Sequence, residues 1–290
     1  AAVRAKSEGF APHVLVMTAT PIPRTLGMTL YGDLDVSVLR GKLPGRRPVV
    51  TRFVASTKSP EVYAYARKRL DLGEQAFVVV PAVEESDAGL KDVSSHLEFL
   101  ANGPFQGLSL GMVHGRMGFD ERDRVMEQFR RGAIAALVAT VVIEVGVDVS
   151  NATMMIVEHA DRFGLAQLHQ LRGRIGRGEK PSLCVYIADP TTPEAQERLE
   201  SIARIDDGFE IAEIDLRLRG PGELFGARQS GLPPLRVADL SSDGALLALA
   251  RRDAAAWIER DPELRAPDAA LLRRRLLDAY GEALGIADVG

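Results

Sequence analysis

The 290 residues contain a single cysteine, Cys184, and a single tryptophan. One thiol excludes an internal disulfide and a cysteine metal cluster, and its place in the apolar run Leu183-Cys-Val-Tyr-Ile187 makes it a small buried hydrophobe. A reducing, cytoplasmic location fits that usage. No run of eighteen apolar residues and no signal peptide occurs, so nothing points to a membrane or to export. The formal charge of −4 gives no blanket attraction to nucleic acid, and any basic footprint must be local. Gly-x-x-x-x-Gly-Lys-Ser/Thr is absent: Gly41-Lys42 runs into Leu43, and Gly178-Glu-Lys-Pro has neither the turn nor the hydroxyl. No apolar strand ends in Asp-Glu followed by histidine or aspartate. The phosphate cradle and magnesium carboxylates of a nucleotide site are therefore missing. The chain also opens on Ala1 in mid-pattern, and the expectation is an excised piece of a longer protein.

What is present, with 46% hydrophobic and 26% charged residues, is ordinary globular material. Its centre is Gly164 to Gly178, Gly-Leu-Ala-Gln-Leu-His-Gln-Leu-Arg-Gly-Arg-Ile-Gly-Arg-Gly. On one helix, Leu165, Leu168, Leu171 and Ile175 would form a buried stripe, with Gln170, Arg174 and Arg177 together on another face. Gly173 and Gly176 would leave that face open, so that a polyphosphate or a second domain could approach the backbone. The alternative is a solvated helix with surface arginines, which gains nothing from two interior glycines that cost about 1 kcal/mol each against alanine.

The stretch Gln170-Leu-Arg-Gly-Arg-Ile-Gly-Arg177 resembles motif VI of superfamily-2 helicases and translocases, and Arg162-Phe-Gly-Leu-Ala-Gln-Leu-His169 before it looks like the version in the RecG family. The resemblance implies that Arg177 is an arginine finger on the γ-phosphate, with Arg174 close by and Gln170 toward the nucleotide. A guanidinium brought to the charge of phosphoryl transfer by a second domain can be worth on the order of a thousandfold in rate.

Further motifs occur in order. His13-Val-Leu-Val-Met17 is predicted as a short buried strand, and Thr18-Ala-Thr-Pro21 after it resembles motif III, which links the nucleotide and nucleic-acid sites through Thr18 and Thr20. Pro81-Ala-Val-Glu-Glu-Ser86 resembles motif IV without an assignable role, and His114-Gly-Arg-Met117 resembles motif IVa, making Arg116 a backbone-phosphate candidate. His114 itself is expected to be a packed or turn histidine. Leu137-Val-Ala-Thr-Val-Val-Ile-Glu-Val-Gly-Val-Asp148 resembles motif V, implying that Gly146 and Asp148 approach the nucleotide and Thr140 contacts a DNA phosphate. Asp148 alone would serve equally as a turn residue before Ser150-Asn151.

Strands are predicted at Val49 to Val54, Ala76 to Val80, Leu108 to Val113, Ala135 to Ala139, Thr153 to Val157 and Leu183 to Ile187, with helices from Ser59 to Gly73 and Asp120 to Gly132. Such alternation means an α/β fold, a parallel sheet with helices on both faces. The resemblance makes it RecA-like, although a flavodoxin-like or dinucleotide-binding sheet would read the same. Thr192-Pro193 opens a helix to about Asp207, Gly208 is expected to break it, and Phe209 to Leu218 makes a second. The loop Arg219 to Pro233 holds four glycines and two prolines. Hairpin and loop resemble the translocation motif that the RecG family shares with the transcription-repair coupling factor, with Arg219, Arg228 and Gln229 at its polar positions. Two further helices are expected around Gly244 to Glu259 and Pro267 to Leu284, with apolar faces at Leu246, Leu249, Ala250 and Trp257 and at Leu271, Leu272, Leu276 and Tyr280. Arg273-Arg-Arg275 is expected to be a solvated face.

The expected organisation is the end of a first motor domain with a linker (1–40), a second RecA-like helicase domain (41–190), a translocation hairpin and loop (191–235) and a C-terminal helical segment (236–290). By resemblance this is the C-terminal motor half of an ATP-dependent helicase acting on branched double-stranded DNA, such as replication forks and Holliday junctions, in recombination and repair. It would work as a monomer, with ATP and Mg2+, alongside a first motor domain and an N-terminal wedge on the same full-length chain. The first motor domain would hold the Mg2+ ligands, so the fragment alone is expected to be inactive. A transcription-repair coupling translocase and a non-enzymatic RecA-like binding module are the alternatives.

Overall fold

The computed structural model describes residues 48–81, 87–140, 149–219 and 244–280, together with Leu15, Met17 and Ser37. The readings at Thr18, Thr20, the linker that ends the 1–40 unit, 82–86, Gly146, Asp148, Arg228 and Gln229 lie outside the described residues. Leu15 and Met17 are not in a strand and both are exposed, against the buried strand predicted there; no described strand pairs with them to bury them.

Among the described residues the chain forms six parallel strands: β1 Val50–Val54, β2 Gln75–Val79, β3 Leu110–Val113, β4 Ala136–Ala139, β5 Ala152–Glu158 and β6 Leu183–Ile187. Their order across the sheet is β1-β6-β5-β2-β4-β3. Between and after them lie α1 Ser59–Asp71, α2 Asp87–Asn102, α3 Phe119–Arg130, α4 Leu165–Arg172, α5 Pro193–Arg204 and α6 Gly208–Arg219, then α7 Gly244–Arg260 and α8 Ala270–Tyr280. All six predicted strands are present within two residues of their expected ends.

Alternation along each strand divides the core in two, because successive side chains leave a strand on opposite faces. Ala76 and Val78 of β2, with Met154 and Ile156 of β5, pack against α1 and α2 through Tyr63, Leu70, Val93 and Leu100. Phe77, Val79, Met155 and Val157 pack on the other face against α3, α4, α5 and α6 through Phe129, Leu168, Ile202 and Ile211. Chain direction gives the same division: connections toward β3 carry α1 and α2, while returning ones carry α3 and α4. Right-handed crossovers put the two sets on opposite faces.

The α5–α6 pair is part of this core rather than an appendage. Thr192 caps α5, its hydroxyl accepting from the Ala195 N–H at 3.2 Å. The break falls at Ile205–Asp207, not at Gly208 as predicted. Asp207 takes over as the cap, its carboxylate accepting from the Phe209 and Glu210 N–H groups at 2.8 and 3.0 Å, so Gly208 starts α6 instead of ending α5. Further on, the apolar faces predicted for the last two helices are not buried: Leu246, Leu249, Leu271, Leu272 and Leu276 are exposed, since no described element lies over them. Arg273, Arg274 and Arg275 are exposed, as expected of a solvated face. No helix among the described residues is long and apolar enough to cross a membrane.

Candidate functional site

Helix α4 descends from the carboxyl end of β5 across the sheet. The Gln167 side chain accepts from the Gly164 N–H at 3.0 Å and fixes its first turn. Leu165, Leu168, Leu171 and Ile175 are all buried, as their spacing predicts. The Tyr186 hydroxyl of β6 donates to the Leu168 carbonyl at 2.9 Å and ties the helix to the sheet.

The helix stops at Arg172, so Arg174 and Arg177 do not share a helical face with Gln170 as predicted. Gly173 is the C-cap, and Gly176 adopts φ +74°, a left-handed conformation that ends a helix and that side chains rarely tolerate. Glycine termination outweighed the leucine periodicity. Gly176 does not hold a face open for an anion, because a Cβ there would lie 2.7 Å from Val49 Cγ2, whereas one on Gly173 would meet only the Gln170 and His169 carbonyls of its own turn. A Cβ on Gly178 would run into the Ser150 carbonyl. At Gly176 and Gly178 the missing side chain is replaced by the protein's own chain.

That packing places the turn. Val49 and Ser182 directly precede β1 and β6, and Ser150 lies two residues before β5, so the turn 173–178 is pressed against the amino edge of the sheet. Its contact at Ser150 follows the motif V stretch that ends at Asp148, and Lys180 Nζ donates to Asn151 Oδ1 at 3.3 Å beside it. Arg174 is half-buried, Arg177 is exposed, and Gln170 is half-buried one turn back on α4.

Arg116 and Thr140 lie at the opposite, carboxyl edge. The Thr140 N–H donates to the Val113 carbonyl at 3.2 Å where β4 and β3 end, and its residue is only 5% exposed. Arg116 is exposed, and its N–H donates to His114 Nδ1 at 3.3 Å, which makes His114 the turn histidine expected. Among the described residues, Arg174 and Arg177 therefore do not converge with Arg116 and Thr140. β5 separates their two edges by about 20 Å, seven residues at about 3.3 Å each.

Sequence reasoning passed over Arg172, which is 4% exposed. Its Nη1 donates to the carbonyls of Ile202 and Ile205 at 2.9 and 2.8 Å and lies 3.5 Å from the Asp206 carboxylate. These carbonyls belong to the C-terminal turn of α5, where helices leave acceptors unpaired and favour a cation. His169, one turn back, faces the same corner. Its Nε2 is 3.3 Å from the Asp206 carbonyl, which can only accept, so Nε2 carries the proton and the buried Nδ1 has no hydrogen-bond partner. Burial, and then the nearby Arg172 charge, push the His169 pKa down to about 4. The motif VI helix is thus fastened to the turn of the α5–α6 hairpin by two side chains. Arg219 closes α6; its side chain lies outside the described residues.

Other buried groups are structural. Tyr63 donates to Glu158 at 2.6 Å and lies 2.9 Å from His96 Nε2. Burial raises the Glu158 pKa and lowers that of His96 to about 4. Cys184 is buried, which pushes its thiol up to about 12.

A parallel sheet carrying these motifs in this order is the second, C-terminal RecA-like domain of a helicase. Residues 61–179 match the family model of the helicase conserved C-terminal domain, and residues 205–287 match that of ATP-dependent DNA helicase RecG, domain 3, C-terminal. The ATP-dependent DNA helicase RecG of Synechocystis sp. is 44% identical over 281 residues, 96% of this chain and 34% of that protein. The Bacillus subtilis RecG is 44% identical over 94% of this chain and 40% of that protein. A structure of RecG bound to a three-way DNA junction aligns over 79% of this chain and 30% of that one, with 45% identity and a TM-score of 0.63. The chain carries the C-terminal helicase domain of the RecG family, and spans little more than a third of the length of these relatives.

Proposed function

We propose that this chain is the C-terminal motor half of an ATP-dependent DNA helicase that translocates on branched double-stranded DNA. Its units follow the boundaries near residues 40 and 235, with the α5–α6 hairpin packed into the core of the RecA-like domain. The observation that carries the reading is the amino-edge turn: Arg174 and Arg177 ride on a turn packed against the amino edge of the sheet, directly after a helix fastened to the hairpin. Arg177 supplies the guanidinium that meets the transferred phosphoryl group of ATP, while Gln170, Gly146 and Asp148 complete this half of the site. A set of guanidinium donors suits a phosphate and not a cation. On this reading the magnesium ligands belong to the first motor domain. Arg116 and Thr140 engage the DNA backbone at the carboxyl edge. The names of the relatives, and the three-way junction bound by one of them, support ATP use and branched DNA.

The test is steady-state ATPase of the complete helicase with and without a three-way junction. Arg177→Ala is expected to lower kcat by roughly a thousandfold while nucleotide binding survives. A raised KM at unchanged kcat would move Arg177 to ground-state binding, and DNA-stimulated turnover by this chain alone, lost in Arg177→Ala, would overturn the half-site.

A further inference from the structure

The loop that follows β3 holds a feature that the phosphate contacts leave unused. From Gly115 to Glu121 every residue except Met117 is exposed, and Phe119 is 68% exposed at the first position of α3. The Arg122 guanidinium sits 5.7 Å from the centre of its ring, within cation–π reach, so one side of the phenyl group is backed by a planar cation. The partner is constrained by charge. Asp120, Glu121 and Asp123 follow it within four residues and alternate with Arg122 and Arg124, so this turn carries no net positive charge with which to hold a phosphate by itself. A planar, uncharged group suits the ring, and the polyanion that carries it needs a neighbouring cation. Arg116, three residues earlier on the same edge, is that cation.

We propose that Phe119, backed by Arg122, is a stacking platform for an unpaired nucleobase of the DNA engaged at the carboxyl edge of the sheet. Every base has a π face, so such a contact is indifferent to sequence yet selects single-stranded positions, as at a branch point. The inference rests on the DNA-binding reading above and adds to it a contact that distinguishes unpaired from paired strands.

The test uses the complete helicase and fluorescence anisotropy at fixed salt, with a three-way junction carrying a short unpaired stretch. A series of junctions places one abasic site at each unpaired position in turn. The wild-type protein is expected to bind roughly tenfold more weakly when one particular position is abasic. Phe119→Ala should lose the same factor on intact DNA and become indifferent to that abasic site, whereas Phe119→Trp should restore both. Because the ring makes no ion pair, Phe119→Ala should leave the salt dependence of binding unchanged, while Arg116→Ala should lower its slope by about one phosphate contact. The ring is exposed, and circular dichroism will verify that the variants fold. Phe119→Ala with wild-type affinity, or with undiminished sensitivity to the abasic series, overturns the platform. If Arg116→Ala still changes the slope, the DNA reading survives that failure; if no variant or salt change alters binding, both fall.

Discussion

Replacing Arg172 with alanine removes the fastening between the motif VI helix and the hairpin, and the structure allows its size to be worked out. Two charge-assisted hydrogen bonds go, to the Ile202 and Ile205 carbonyls, and bonds of this kind are each worth about 1.5–3 kcal/mol. The Asp206 contact adds little, because that side chain is 44% exposed and water screens it. The loss expected is about 3–5 kcal/mol, that of breaking a buried polar cluster on one side. Arg172→Lys keeps the charge but reaches only one carbonyl well, so it should lose about half as much. Urea unfolding of the chain measures the total, and amide hydrogen exchange locates it. Protection in α6 should collapse while β2 and β5, buried on both faces, keep theirs. A separate readout is the His169 imidazole: without the Arg172 charge its pKa should rise from about 4 toward 6.5, visible by NMR titration. A loss under 1 kcal/mol, or α6 protection equal to wild type, would refute the reasoning.

Three further outcomes are expected. Gly178→Ala, whose Cβ would meet the Ser150 carbonyl, and Gly176→Ala, which adds strain at φ +74° of about 1–2 kcal/mol, should lower ATPase in the complete helicase while DNA affinity holds; Gly118→Ala, with open space around it, is the neutral control. The neutral His169 binds no proton in the folded chain until pH falls to about 4, whereas the unfolded chain protonates near 6.5. Stability from this group is therefore fully present above pH 6.5 and is lost as pH falls from 6.5 to about 4, at up to about 1.4 kcal/mol per unit. Urea midpoints across that window should show the slope, and His169→Gln should reduce it, with His96, also held down to about 4, supplying the remainder. Arg228→Ala and Gln229→Ala should keep DNA-stimulated ATPase within a few-fold while fork unwinding falls much further; a proportional fall in both would place that loop in the nucleotide site or in folding.

How far the sequence could be read follows from which interactions are local. Strands buried on both faces are continuous apolar runs, so β2, β4 and β6 were legible as Ala76 to Val80, Ala135 to Ala139 and Leu183 to Ile187. The same holds for the buried leucines of α4. Where the chain ended an element, local patterns competed: Gly173 stopped α4 although Ile175 continued the stripe, and Asp207 claimed Gly208 for the helix after it. Arg172 was invisible for a different reason. Its partners are backbone carbonyls thirty and thirty-three residues away, and a carbonyl carries no sequence signal. The separation of Arg174 and Arg177 from Arg116 and Thr140 onto opposite edges was equally hidden, since it depends on each connection's direction across the sheet and not on motif order.

That separation sets the mechanical problem, and the hairpin answers it on the proposed function. Closure of the two motor domains would act on Arg174 and Arg177 at the amino edge, whereas DNA would be engaged at the other. Helix α4, tied to β6 through Tyr186, cannot absorb such a displacement by sliding on the sheet. Its C-terminal end is instead joined, through Arg172 and His169, to the Ile202–Asp206 corner, which lies at the same edge. From there α6 packs along both α4 and α5, and its twelve residues place Arg219 about 18 Å from the corner. A small rotation at the corner becomes a larger displacement at the far end of α6, where the Gly-Pro-rich loop begins. The Arg172 contact is then the pivot of a lever whose short arm is the arginine turn. On this arrangement, loosening the pivot uncouples movement from hydrolysis without touching a group that contacts ATP, so Arg172→Ala should hydrolyse ATP near the wild-type rate and unwind forks poorly.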